Sequence, residues 1–174
     1  VNLSSDILYY SVPKVEGQQN SVQVKSQLRW EWKAAEHLLL RLRLSDRFRT
    51  WGLQHRAELR TEADVPLGMF ALGTRFITLK SHDHSFLGLL DAAVRSGNLT
   101  VRLRAGAFLT DNWDDRIYVY EYDAPGSFNV PAYYGRGVWT SFNASWRFAR
   151  WGRMYARAGV LAYPFMQRKK PGKA

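Results

Sequence analysis

Residues 21–33 read SVQVKSQLRWEWK, and this stretch decides the fold because its two kinds of side chain alternate without mixing. One set is apolar apart from Ser26 and consists of Val22, Val24, Leu28, Trp30 and Trp32. The other set is polar or charged and consists of Gln23, Lys25, Gln27, Arg29, Glu31 and Lys33. Successive side chains of a β-strand point to opposite faces of the sheet. The stretch therefore predicts a strand with one apolar face and one charged face.

The same alternation recurs along the chain and predicts further strands. The eight predicted strands lie near residues 21–33, 37–44, 51–62, 68–79, 86–95, 99–110, 137–148 and 152–163, and a ninth is added if 5–12 pairs with them. Segment 68–79 alternates least clearly. Segment 86–95 also fits a short helix, but the turn signal Ser96-Gly97-Asn98 before the alternating segment 99–110 favours a strand.

The lengths of the strands and of their links favour a membrane barrel. Short links at 34–36, 96–98 and 149–151 alternate with longer ones, of which 111–136 is the longest. Outer-membrane barrels have short turns at one end and long loops at the other, with an apolar face toward lipid and a polar face toward the lumen. We therefore predict an all-β fold, an antiparallel up-and-down transmembrane β-barrel or a fragment of a larger one, as a single region over residues 1–174.

Two further features belong to this prediction. Tryptophans near strand ends would form the aromatic girdle at the headgroup level, and the candidates are Trp30, Trp32, Trp51, Trp139, Trp146 and Trp151. The last predicted strand is followed by QRKKPGKA at 167–174, which offers no strand to cover its edge. We therefore expect the barrel region to be incomplete at both ends.

Composition narrows the class of protein. The chain has a net charge of +10 and no cysteine, so disulfides and thiolate metal sites are excluded. It contains no apolar run of the roughly 18 residues that a transmembrane helix needs. The arginines lie within the alternating segments, and those predicted to face the lumen are Arg29, Arg41, Arg43, Arg56, Arg60, Arg102, Arg104, Arg147 and Arg157.

These arginines allow two interpretations. A ring of arginines biases a pore toward anions or provides a site for an acidic ligand. Alternatively the arginines are structural, pairing across strands with acidic residues in a lumen that side chains fill. The acidic partners in that case are Glu31, Glu58, Glu62 and Asp91.

The long loop 111–136 is both acidic and aromatic, which makes it the second candidate site. Its candidate ligand or partner residues are Asp111, Trp113, Asp114, Asp115, Arg116, Tyr118, Tyr120, Glu121, Tyr133 and Tyr134. Aromatic rings with carboxylates suit sugars, and clustered carboxylates suit Ca²⁺, but the spacing is not that of an EF-hand. The glycines and prolines of the loop favour a folded plug or a partner surface.

Other chemistry is weakly indicated. His82, Asp83 and His84 could hold a metal, but no further ligand lies nearby in the sequence. The chain contains no G-x-S-x-G, no H-E-x-x-H and no glycine-rich phosphate loop. We therefore expect a protein that is not an enzyme and that has neither cofactor nor resident metal.

Residues 86–165 carry a resemblance to a known family. An apolar strand and a short turn lead to an R-x-R strand, and then to FLTDNWDDRIYVYEYDAPGSFNVPAYYGRG at 108–137. This part resembles the C-terminal barrel region of Bacteroidota outer-membrane proteins described as helix-hairpin-helix domain-containing. The matching positions are Arg102, Arg104, Asp111, Asp114, Asp115, Arg116, Ile117, Tyr118, Tyr120, Glu121, Pro131, Ala132, Tyr133, Tyr134, Gly135 and Gly137. The resemblance implies location and fold; the family's namesake domain has no counterpart here.

The expected protein is therefore a channel, or a scaffold subunit of an envelope assembly, in the outer membrane of a Gram-negative bacterium. Its expected partners are the lipid bilayer and lipopolysaccharide, together with other outer-membrane or periplasmic subunits. One alternative is a soluble β-barrel with its apolar face inside, binding an acidic or apolar small ligand. Another, motivated by the net charge of +10, is a DNA-uptake or nucleic-acid-binding component, although this region alone is not expected to bind nucleic acid.

Overall fold

A meander of antiparallel strands makes up most of the structure. The computed structural model describes residues 2–10, 21–50, 54–124, 127 and 129–164. Its strands are β1 Asn2–Tyr10, β2 Ser21–Ala35, β3 Leu38–Arg49, β4 Gln54–Leu67, β5 Phe70–Lys80, β6 His84–Ser96, β7 Leu99–Thr110, β8 Ile117–Tyr118, β9 Ala132–Tyr133, β10 Gly135–Ala149 and β11 Gly152–Ala162. Among the described residues no helix is both long and apolar enough to cross a membrane.

The prediction of an all-β, antiparallel, up-and-down fold is confirmed. Nine strands form one sheet in the order β1-β2-β3-β4-β5-β6-β7-β10-β11, while β8 and β9 form a separate pair. The sheet does not close into a barrel: within the described residues, β1 and β11 each lack a neighbour on their outer side. A closed barrel is therefore not part of this structure.

Several observed strands differ in length from the predicted ones. The ninth strand exists as β1, which pairs with β2 from Asn2 opposite Arg29 to Tyr10 opposite Ser21. The predicted strand 37–44 is too short, because pairing continues to Arg49. There Asp46 interrupts the apolar pattern, and it lies 2.6 Å from Nε2 of His55 on the next strand. Residues 51–53, which include Trp51, lie outside the described residues, as does 167–174.

The two ends of the sheet differ in the lengths of their connections. One end, called here the short-turn end, has four two-residue turns, at 36–37, 68–69, 97–98 and 150–151. Gly68 and Gly97 have φ of 64° and 53°, a conformation that glycine adopts without steric cost. At the opposite end, called the long-loop end, lie the end of β3, the start of β4 and the links 81–83 and 111–134.

The sheet has an apolar face and a charged face, as the alternation predicts. The apolar face carries large side chains that stay exposed, including Trp30, Trp32, Leu44, Phe70, Leu72, Phe76, Phe86, Leu90, Leu103, Val138, Phe142, Trp146, Phe148, Met154 and Val160. Near the short-turn end its aromatic rings form pairs. Trp30 and Trp32 stack with centroids 5.9 Å apart, and Phe148 meets Trp151 at 5.6 Å.

The compact hydrophobic core lies on the charged side of the sheet, where the segment 111–134 covers part of it. Its members are Ile77, Leu79, Leu87, Leu89, Phe108, Ile117, Val119, Tyr133 and Trp139, with Tyr163 packed against them. This location explains why 68–79 and 86–95 alternate poorly. Ile77 and Leu87 point into the core while Phe76 and Phe86 point to the apolar face, so β5 and β6 are apolar on both sides. Both are strands, which for 86–95 excludes the helix.

We predict that the turn at Gly97 tolerates a side chain less well than the strand position Gly88. A Cβ on Gly97 would touch nothing within 4 Å, so the cost of Gly97→Ala is the strain of its positive φ, about 1 kcal/mol. A Cβ on Gly88 would meet only Phe76, at 3.9 Å. Urea unfolding followed by tryptophan fluorescence measures both changes. Equal losses for Gly97→Ala and Gly88→Ala would contradict the turn geometry.

Candidate functional site

The predicted long loop is a folded hairpin that lies against the charged face. Residues 117–133, called here the inserted hairpin, begin and end with the paired strands β8 and β9, where Ile117 lies opposite Tyr133. The N–H of Glu121 donates to the carbonyl of Asn129 at 2.9 Å. At the tip of the hairpin, the N–H of Ser127 donates to the carbonyl of Ala124 at 3.1 Å. The segment is therefore folded against the sheet, as its glycines and prolines led us to expect.

A short 3₁₀ turn at Trp113–Asp115 anchors the start of the hairpin. Asp115 is fully buried and accepts hydrogen bonds from the backbone N–H groups of His82 at 3.3 Å and Asp83 at 3.0 Å. Arg56 of β4 donates to the carbonyl oxygens of Asp114 at 3.3 Å and Arg116 at 3.0 Å. These contacts hold the entry to the hairpin against the 81–83 link and the β4 strand.

The 81–83 link has a structural role in these contacts. The side-chain amide of Asn112 also donates to the Asp83 carboxylate, and His84 stacks on Phe86 at 6.5 Å. Among the described residues, no group of three or more His, Asp or Glu side chains could hold a metal ion.

The carboxylate of Glu121 is the most heavily bonded group of the hairpin. Glu121 is 1% exposed. Its Oε1 accepts from the Tyr133 hydroxyl at 3.1 Å and from Nε1 of Trp139 at 3.1 Å, while Oε2 accepts from the Ser141 hydroxyl at 3.0 Å. A buried carboxylate needs several donors to offset its lost hydration. The donors Trp139 and Ser141 bind the hairpin to β10, while Tyr133 is a donor from the hairpin itself.

Arg104 supplies the positive charge next to Glu121. Its side chain is 3% exposed, and one terminal nitrogen lies 3.4 Å from Oε1 of Glu121. It forms a bidentate pair with Asp91 at 2.6 and 2.9 Å and donates to the carbonyl of Tyr120 at 2.6 Å. Arg104 therefore joins β6, β7 and the hairpin, which agrees with the structural interpretation of this arginine.

Aromatic rings complete the contact between hairpin and sheet. The rings of Tyr133 and Trp139 have centroids 4.2 Å apart, and Phe108 lies 5.1 Å from Tyr133. Trp139 lies over Gly106, where an added Cβ would come within 2.3 Å of the indole. Trp139 is thus buried on the charged side, and its predicted place in an aromatic girdle is wrong. Burial beside Glu121, and the hydrogen bond between them, raise the pKa of Tyr133.

Arginines of β3, β4 and β5 form an ion-pair network across the strands. Arg43 and Arg60 both reach Glu58, at 3.0 and 3.1 Å. Arg41 contacts Glu31, Glu62 and Asp64, and Arg75 lies 2.7 Å from Glu62. Arg29 lines a small cleft of about 220 Å³ beside this network. The network places Arg41 and Arg43 in cross-strand ion pairs, while Arg60 pairs with Glu58 of its own strand.

Two larger clefts flank the inserted hairpin. The first, called here the arginine cleft, encloses about 580 Å³ between the hairpin tip and β6, β7, β10 and β11. Its charged side chains are Arg95, Arg102, Arg147, Arg153, Arg157 and Asp123. The second cleft encloses about 450 Å³ near the long-loop end, and its lining includes Lys25, Arg47, Arg49, Arg56 and Arg116.

The loop candidates divide into buried and exposed groups. Asp115, Glu121 and Tyr133 are buried and bind the hairpin to the sheet. The other group, exposed except for the half-buried Arg116, contains Asp111, Trp113, Asp114, Arg116, Tyr118, Tyr120 and Tyr134. Within it Asp111 pairs with Arg136 at 2.9 Å, the ring of Trp113 meets Tyr134 at 4.7 Å, and the Arg116 guanidinium lies 4.6 Å from the Trp113 ring centroid.

Sequence reasoning did not assign a site role to several residues that matter here. Trp139 and Ser141 bond to Glu121, but nothing local in the sequence connects them with residue 121. Arg95, Arg153 and Asp123 line the arginine cleft. The alternation places Arg95 and Arg153 on the charged face, so strand parity was the signal available for them.

No protein-family model, no curated protein and no solved structure matches this chain.

We predict that loss of the Glu121 carboxylate strongly destabilises the fold. Glu121→Ala leaves the hydroxyls of Tyr133 and Ser141 and the indole N–H of Trp139 without their acceptor, which costs about 3 kcal/mol of the free energy of unfolding. The control Glu31→Ala removes a carboxylate that is 54% exposed, and it costs under about 0.5 kcal/mol. Chemical unfolding measures both. Similar losses would show that the Glu121 network contributes no more than a surface charge.

We also predict that Tyr133 makes stability fall at high pH. Its pKa is raised in the folded state, so its contribution is complete below the unfolded pKa of about 10 and is lost as the pH rises toward the folded pKa. The free energy of unfolding of the wild type should therefore fall above about pH 10, by at most about 1.4 kcal/mol per pH unit from this group. Tyr133→Phe should show a shallower fall. An unchanged slope in that variant would refute the assignment.

Proposed function

We propose that this sheet is part of the wall of an outer-membrane β-barrel, acting as a channel or as a scaffold of an envelope assembly. The apolar face would meet lipid and the charged face the lumen, with the inserted hairpin as a plug. The observation that carries the proposal is the extent of the apolar face. Large side chains remain exposed along it, with Leu90 and Val160 about two-thirds exposed, at 66% and 67%.

The position of the core supports this choice of faces. A soluble barrel would point its apolar face inward and its charged face to water. Here the hairpin packs on the charged side, and the buried Glu121 and Arg104 lie there as well. Contiguous exposed apolar surface on this scale marks a surface that meets lipid or another protein. Contact with lipid explains why the exposed apolar face continues across the strands of the sheet.

Strand length agrees with a bilayer. The long strands from β2 to β7, with β10 and β11, have between 11 and 15 residues. At about 3.3 Å per residue they extend roughly 36–50 Å, which crosses a bilayer when the strands are tilted. Soluble strands usually have about five or six residues. The strands are thus longer than a soluble sheet of this kind needs.

Aromatic residues near both ends of the apolar face fit the two membrane interfaces. Trp30, Trp32, Trp146 and Trp151 lie toward the short-turn end. Phe48, Phe76 and Phe86 lie toward the long-loop end. Aromatic rings favour the headgroup region, where an apolar body and a polar edge are both accommodated. By analogy with outer-membrane barrels, the short-turn end would be periplasmic.

In a bilayer the outer edges of β1 and β11 require partners, because unpaired backbone groups are costly in hydrocarbon. We therefore include in the proposal that further strands complete the barrel. The resemblance of residues 86–165 to Bacteroidota outer-membrane barrels is compatible with this assignment. Because the inserted hairpin would lie in the lumen as a plug, its position favours a scaffold or a constricted channel rather than a wide pore.

A matched pair of variants on β3 tests the proposal. Leu42 points to the apolar face, while Leu39 points to the charged face and lies opposite Asp64. In phosphatidylcholine vesicles we expect Leu42→Arg to reduce the folding free energy by about 2–4 kcal/mol, because the charge would enter the lipid. We expect Leu39→Arg to cost less than about 1 kcal/mol, since its guanidinium meets water and a carboxylate.

Flotation of the wild-type chain with the same vesicles completes the test. We expect the chain to float with the vesicles and to need detergent when they are absent. A monodisperse chain in water without detergent, or equal costs for the two leucine variants, would refute the membrane assignment. Conductance across a planar bilayer would then separate a channel, which conducts, from a scaffold, which does not.

A further inference from the structure

The arginine cleft concentrates positive charge that the protein does not neutralise. Five arginines and one carboxylate line its volume of about 580 Å³. The carboxylate, Asp123, lies 2.9 Å from Arg157 and also accepts from the N–H of Ala124 at 2.8 Å. Asp123 is thus already engaged by Arg157, and it leaves the other four arginines uncompensated.

Those four arginines have no acidic partner among the described residues. Arg102 lies over the ring of Tyr122 at 4.3 Å, and Arg153 donates to the Tyr155 hydroxyl at 3.2 Å. In the described part of the chain, no carboxylate lies within 4 Å of the guanidinium groups of Arg95 and Arg147. Their forked N–H donors are therefore available for a ligand.

The strand register makes this arrangement unfavourable without a ligand. Arg147 lies directly opposite Arg153 in the β10–β11 pairing, and like charges in that position destabilise a sheet. The pair Arg43 and Arg60 is also directly opposite, but Glu58 lies 3.0 and 3.1 Å from these two arginines and offsets their repulsion. Like charges placed directly opposite each other, with no acidic side chain to offset them, point to a functional role.

We propose that the arginine cleft binds a small solute bearing at least two phosphate or carboxylate groups. Arginine forks bind such oxyanions in a bidentate manner. The volume suits a small organic anion rather than a single inorganic ion. Polar side chains of Asn98, Thr100, Asn143 and Ser145 line the same space and can donate hydrogen bonds to further oxygens of the ligand.

The second cleft is the weaker candidate because several of its cations, Arg49, Arg56 and Arg116, already donate to protein groups. Arg56 donates to two backbone carbonyls of the hairpin, and Arg49 donates to the side-chain oxygen of Gln23 at 2.8 Å. Arg116 donates to the Trp113 carbonyl at 2.9 Å. Their donors hold the hairpin and the strand ends in place.

This inference goes beyond the proposed function and does not depend on the membrane. It requires only the charged face and the hairpin tip, which exist in the chain whatever surrounds the apolar face. If the chain binds the anion but fails the vesicle test, the cleft proposal is supported and the barrel proposal is refuted. If the chain inserts into vesicles but binds no anion, the barrel proposal is supported and the cleft proposal is refuted.

The test is calorimetric titration of the full chain, folded in detergent, with pyrophosphate and separately with citrate. We expect saturable binding of at least one anion, weakened as the ionic strength is raised. At constant ionic strength, bromide added at the concentration of the titrated anion should not compete. Arg147→Gln and, independently, Arg95→Gln should each weaken binding about tenfold, because each removes a charged pair of donors. Pyrophosphate binding alone would indicate a phosphate ligand, and citrate binding alone a carboxylate ligand.

The matched control is Arg136→Gln. Arg136 lies at the opposite end of β10, where it pairs with Asp111, and its removal changes the net charge by the same amount. We expect this variant to bind as the wild type does. Absence of binding to both anions at low salt would overturn the proposal, as would equal weakening by Arg136→Gln and Arg147→Gln.

Discussion

The carboxylate of Glu121 ties the inserted hairpin to the sheet, and the arrangement of the charged face depends on it. A carboxylate with 1% exposure is stable only where donors replace its hydration, and the chain brings three of them from Tyr133, Trp139 and Ser141. Arg104 adds the countercharge and carries the connection on to Asp91. The hairpin therefore has one defined position on β7 and β10.

That position separates the charged face into regions with different roles. Under the hairpin, Ile77, Leu87 and Phe108 form a core that makes this side of the sheet an interior. Toward β2–β5, carboxylates neutralise the arginines in a cross-strand network. Beyond the hairpin tip the carboxylates are fewer than the arginines, and the arginine cleft remains. Chemically similar arginines thus have unequal roles, depending on whether an acidic side chain lies on the neighbouring strand.

Particular residues mark how far the sequence could predict this structure. Parity alone predicts the observed faces of Arg102, Leu103 and Arg104, because successive side chains of a strand point to opposite sides. Segments 68–79 and 86–95 gave a weak signal, since Ile77 and Leu87 meet the hairpin while their neighbours face outward. The sequence predicts Trp139 in an aromatic girdle although the residue is buried, because an indole suits either environment. Glu121 was among the candidates, but its partners Trp139 and Ser141 lie 18 and 20 residues away.

By itself the sequence determined the antiparallel meander, the two faces of each strand and the contrast between short turns and long links. These features are local: they follow from a period of two residues and from turn chemistry within a few positions. Only the tertiary structure decided where 111–134 lies, which arginines have acidic partners and that β1 and β11 remain the edges of the sheet. Those features depend on contacts between residues distant in the chain, such as Arg56 with Arg116 or Arg157 with Asp123, and no local pattern encodes such pairings.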